Sequence, residues 1–126
     1  MSEFPALRKI RLNLARTKEF PQGSAHHGYE FTAPLDESGH IDAAMWKKER
    51  QHCRVRRFWG GEEEEIGHLV HKPGGSWAFH YDIEGEDDDE AGYRFGAHAF
   101  KPGEYVSIKD EDGDLYTFQV VTVQPV

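Results

Sequence analysis

The sequence predicts a single, mainly β domain over residues 1–126. It should be a small antiparallel barrel or strongly bent sheet of about seven strands with one short helix, α+β by strict count. Three observations carry this. Short runs of alternating apolar and polar residues recur at hairpin spacing, glycine-containing turns separate them, and only one stretch has helical spacing. A chain of 126 residues has the usual size of one domain and can bury a core without disulfides or a structural metal. Hydrophobic residues make up only 37%, but aromatics reach 13%, and each aromatic buries a large area.

Lys9–Arg16 (KIRLNLAR) alternates, with Ile10, Leu12 and Leu14 on one face, and reads as a half-buried strand after a loose start over Met1–Leu7. Pro21 and Gly23 mark a loop. His27–Pro34 is a second strand with Tyr29, Phe31 and Ala33 in phase. The helix runs from about Asp42 to His52. Asp42 is the expected N-cap and Trp46 the residue laid against the barrel, with Ala43, Arg50 and Cys53 near the same face.

Arg54–Asp82 then reads as a three-stranded meander with turns at Gly60-Gly61 and Gly74-Gly75. Two-residue turns would set Arg57 opposite Glu64 and Arg56 opposite Glu65, which accounts for the EEEE run. They would also set Val70 opposite Phe79 and give a core face of Val55, Ile66, Val70, Trp77, Phe79 and Tyr81. Leu69, His71, Ala78, His80 and Asp82 would share the other face, unless a bulge intervenes.

Glu84–Glu90 (EGEDDDE) carries six carboxylates and is expected to be a solvated loop. Gly92–Gly96 is either a short strand or an aromatic anchor. The last hairpin, Glu104–Lys109 and Leu115–Val123, needs an odd-length loop at Asp112-Gly113, because only then do Val106, Ile108, Phe118 and Val120 share a face. Phe100–Ile108 (FKPGEYVSI) resembles the F-x-P-G-Q-Y-V segment of the flavin-binding barrel in the ferredoxin-reductase-like family. The resemblance implies a tight turn entering a barrel strand. That family's later Arg-x-Tyr-Ser segment does not follow here, so neither flavin nor site residue is carried over. The closing order of turn, strand, DG hairpin and strand is also similar to the ends of SH3-like and PUA-like barrels, which bears on fold alone.

The net charge of −8 is uneven. Residues 1–57 hold 11 Lys/Arg against 7 Asp/Glu, and residues 58–126 hold 4 against 16. Overall acidity argues against nucleic acid as a general partner. The asymmetry leaves a basic patch on an acidic protein, or two faces that attract within or between chains, unless the halves interleave in the fold. The single Cys53 excludes an internal disulfide and a cysteine-built zinc site, and is expected to be a small buried residue at the helix end. No apolar run reaches membrane-span length and no charged-then-apolar leader is seen, so the cytoplasm is the expected location and no membrane partner is expected.

One constellation could do chemistry. His80 and Asp82 are two apart on a strand and therefore on one face, and His71 lies diagonal to His80 in the two-residue-turn register. Two imidazoles and a carboxylate can hold a divalent metal with open positions or act as an acid/base pair. The bland alternative is an exposed polar face on a half-solvated sheet. The acidic Asp110–Asp114 turn does not have EF-hand spacing, with glycine at its fourth position. The basic run Lys47–Arg57 beside Phe58 and Trp59 is the feature that would suit single-stranded nucleic acid.

The expected function is a non-catalytic protein-binding or interaction module, whose partner is another protein or a second copy. A small metal-dependent enzyme using His71, His80 and Asp82 is the first alternative, and a nucleic-acid-binding barrel the second. Beyond a divalent metal, no cofactor is expected.

Overall fold

The computed structural model describes residues 6–82, 90–93, 95–110 and 113–126, with the backbone alone at Tyr93. Eight antiparallel strands follow one another around a closed barrel in chain order, and the last closes on the first. They are β1 (Ala6–Leu14), β2 (Ser24–Leu35), β3 (Arg54–Trp59), β4 (Glu65–His71), β5 (Trp77–Tyr81), β6 (Glu90–Tyr93), β7 (Tyr105–Lys109) and β8 (Leu115–Pro125). Closure removes both sheet edges, so every strand finds two partners. The strand beyond the expected seven is β6, only four residues long, which starts two residues before the GYRFG segment. Residues 1–5, and residues 84–89 of the acidic run, lie outside the described residues.

The interior is the period-2 face of each strand. Ile10, Leu12 and Leu14 meet Tyr29, Phe31 and Ala33 there, as their alternation requires. Phe79 packs on Tyr29 and Phe31 with centroids 5.2 and 5.1 Å apart. Phe95 and Phe100, from the short 3-10 turn Phe95–Ala97 and the loop after it, plug the same end as Phe31. These rings fill the barrel with few residues, in tilted and edge-to-face pairs.

Between β2 and β3 the chain forms α1 (Ala43–Glu49), continued by a 3-10 turn, Arg50–His52. Asp42 caps it by accepting from the Met45 amide at 2.8 Å. A helix this short is held by packing. Its anchor is Trp46, whose indole N–H donates to the Leu69 carbonyl at 2.9 Å while its ring edges onto Trp77 at 5.5 Å. Cys53 is fully buried behind it; burial first, and then the Glu49 charge, push its thiol up to about 12, so it stays protonated.

The meander forms as three strands, but its register differs by one residue from the expected one. Arg57 faces Glu65, and Arg56 faces Ile66. Leu69 faces Phe79, and His71 faces Trp77. The reason is loop length. Lys72 N–H donates to Ser76 O at 2.7 Å, so the second loop is residues 73–75, and Gly75 takes φ 92° in its third position. Because strand side chains alternate, this slip turns a face over. Ile66 and Val70, expected in the core, point outward, with Ile66 40% exposed, and Leu69 points inward. The last hairpin behaves as predicted: its odd loop pairs Val106 with Phe118 and buries Ile108 and Val120 beside them. Gly67 occupies an inward position where the β5 backbone comes close, since a Cβ there would lie 2.1 Å from the His80 carbonyl oxygen. No helix of the described residues is long and apolar enough to cross a membrane.

Candidate functional site

Arg54, His68 and Asp82 form a polar cluster on the outer face of β3–β5. The one-residue slip decides its membership. His80 and Asp82 stay on the outer face as expected, but His71 joins the inward phase at the barrel end. There it stacks on Trp77 at 4.1 Å and meets the edge of Trp46 at 5.8 Å. His68 takes its place, directly opposite His80. His68 Nδ1 lies 3.2 Å from Asp82 Oδ1, and Arg54 Nη2 donates to Asp82 Oδ2 at 3.3 Å. The Arg54 fork also reaches His68 Nε2 at 3.4 Å. With a proton on Nδ1, His68 donates to the carboxylate and presents its Nε2 lone pair to the guanidinium. The cluster is open to solvent and its charges are matched. Among the described residues, no group of three or more His, Cys, Asp or Glu side chains is placed to hold a metal ion.

A second polar cluster lies inside the barrel. Glu90, the first residue of β6, is 6% exposed. Its Oε1 accepts from Tyr29 Oη at 2.9 Å and from Tyr81 Oη in a very short bond. Its Oε2 faces Arg57 Nε at 3.7 Å, and that nitrogen is buried without a hydrogen-bond partner. Burial pushes the Glu90 carboxyl up, against the pull of the Tyr81 hydrogen bond and the Arg57 charge. Burial also raises both tyrosines, and the neighbouring Glu90 charge adds to it. Arg57 in turn lies over the Trp59 ring at 4.6 Å and reaches toward Glu62 and Glu65 at 3.8 and 4.0 Å.

Sequence reasoning missed this cluster, because Glu90 was the last letter of an acidic run and Arg57 had a glutamate to pair with. A signal was present all the same. Val55, Arg57 and Trp59 share one phase, so an inward Val55 carries Arg57 inward too.

The charge asymmetry has a spatial counterpart. A barrel wound in chain order lays the Lys/Arg-rich first half along β1–β3 and α1. On the outer wall of β1–β3, Lys9, Arg11 and Arg56 converge on one carboxylate, Glu30, at 3.9, 3.9 and 3.6 Å. The Arg11 and Arg56 guanidiniums also flank the Phe58 ring at 4.5 and 5.2 Å and leave it 8% exposed. A hollow of about 330 Å³ opens between Lys9, Glu30, His52, Arg54 and Arg56. No family, no curated protein and no solved structure matches this chain.

Proposed function

We propose that the chain is a non-catalytic interaction module of the cytoplasm, whose basic β1–β3 wall takes an acidic segment of a protein partner. The observation that carries this is the three-cation convergence on Glu30. Glu30 and Glu64 together leave one of these three cations in excess, and the adjoining hollow offers room for a further anionic group. Opposite-sign surfaces steer encounter and set register. The wall is short and interrupted by Glu30 and by Glu64, which pairs with Arg56. That interruption suits separated carboxylates better than the continuous charge of a nucleic-acid strand, and the net charge of −8 opposes a long polyanion. A second copy is itself a candidate partner, since the chain carries five carboxylates at residues 84–89.

The test is fluorescence anisotropy with a labelled EGEDDDE peptide and, in parallel, an oligouridylate of equal charge. The peptide should bind and release as salt is raised. The double variant Lys9→Glu/Arg54→Glu should weaken it by about tenfold or more. Binding of neither probe would sink the proposal, and a clear preference for the oligonucleotide would replace it with the nucleic-acid reading. Sedimentation of the protein alone at low salt reports whether the partner is a second copy.

A further inference from the structure

The groove between the helical segment and the outer face of β4–β5 has a composition unlike the basic wall. It is an open hollow of about 350 Å³ lined by Trp46, Arg50, Gln51, Leu69, Val70 and the histidines 68 and 80. Trp46 and Val70 supply apolar surface, while Leu69 meets the groove through its backbone. The Trp46 indole is pinned by its bond to Leu69 O and by its edge contact with Trp77, so that side of the groove is preformed. Val70 is here because of the register: the slip that excludes it from the core places it outward, on the same face as His68 and opposite Ala78.

Arg50 separates this groove from a merely apolar crease. The other arginines of the run from 50 to 57 are engaged. Arg54 is committed to Asp82, Arg56 to Glu64 and Glu30, and Arg57 to Glu90. Among the described residues, no carboxylate lies within ion-pair distance of Arg50. A guanidinium on the rim of an apolar groove offers a planar fork that matches a carboxylate.

We propose that this groove binds a small monocarboxylic acid with a flat apolar body. The carboxylate is held by Arg50, and the body lies between the Trp46 ring and Val70, with His80 on the far side. One guanidinium balances one negative charge. The volume is at the small end of ligand sites and suits a body of one or two rings. The proposal does not rest on the basic wall. The groove takes its affinity from apolar contact plus one charge, and should lose less with salt than the wall does.

The experiment is a titration followed by 1H–15N correlation spectra of the full chain. The probe is 2-naphthoate, with 2-naphthylmethanol as the uncharged control of the same shape. Saturable shifts are expected at the Trp46 indole N–H, Arg50, Val70 and His80. The alcohol should bind about tenfold more weakly or worse, and Arg50→Gln should cost the acid a similar factor. Gln51→Glu, which sets a carboxylate on the rim, should weaken the acid and leave the alcohol unchanged. Arg50 and Gln51 are exposed, so these variants should fold, and wild-type-like spectra would confirm it. The proposal is overturned by an absence of saturable shifts, by equal binding of acid and alcohol, or by an Arg50→Gln variant that binds as well as the parent. Shifts confined to Lys9, Arg11 and Arg56 would also overturn it, and would place the anion on the wall.

Discussion

The two polar clusters lie on opposite sides of the same stretch of wall. Arg54, His68 and Asp82 hang outside β3–β5, while Arg57, Tyr81 and Glu90 sit within. Both combine a carboxylate, an arginine and a further hydrogen-bonding side chain. They differ in what surrounds them. Water screens the outer ion pair, so its geometry contributes little to stability. Inside, the same chemistry is held in low dielectric among Phe79, Phe118 and Tyr29, and each group is costly to leave alone. The conspicuous outer cluster is therefore expected to be the replaceable one, and the barrel to depend more on the glutamate that resembled its acidic neighbours in sequence.

Substitutions separate the two. Glu90→Ala should have the largest effect, about 3–5 kcal/mol in urea unfolding, because it strands the buried Nε of Arg57 and two tyrosine hydroxyls. A loss under about 1 kcal/mol would mean that the inner network is solvated. Tyr81→Phe removes one donor and keeps the ring, so about 1.5–3 kcal/mol is expected.

The next contrast is in pH. Glu90 is a weaker acid folded than unfolded, so folding takes up a proton between the two values. The resulting stability is fully present below the unfolded value and is lost as pH rises through the folded one. Asp36 has the opposite sign. Its carboxyl is lowered, first by the Ser38 hydroxyl at 2.7 Å and also by the amides of residues 38 and 40. Its contribution is present above the unfolded value and is lost as pH falls through the folded one. Urea midpoints from pH 3 to 8 should show wild type losing its advantage over Glu90→Gln as pH rises, and over Asp36→Asn as pH falls. Identical slopes for the two variants would refute the assignment. The smallest effect is expected on the outer wall: Asp82→Asn should cost less than about 1 kcal/mol, and less again in high salt.

How much of this was legible depended on whether register was argued from the core. In the last hairpin, apolar residues on both strands allow only the odd loop, and that loop is present. In the meander, the glycine pairs suggested two-residue turns, and matching Arg57 to a glutamate gave no warning, because four consecutive glutamates offer a partner in several registers. The same core argument was available: Leu69 rather than Val70 facing Phe79 would have exchanged His71 for His68 in the outer cluster. The helix, by contrast, was readable in detail, since Asp42, Trp46 and Cys53 act within one short segment where spacing alone places them.

By itself the sequence determined all the strands but β6, the one capped helix, the aromatic core residues and the basic-to-acidic order of the chain. These are local or cumulative properties, set by period, turn chemistry and composition. Only the tertiary structure decided which histidine stands beside Asp82, that Glu90 goes inside, and that Lys9, Arg11 and Arg56 meet at Glu30. Each of these depends on a single loop residue or on how the barrel closes. The free energy that selects among registers comes from burial summed over several strands, and no one segment contains it.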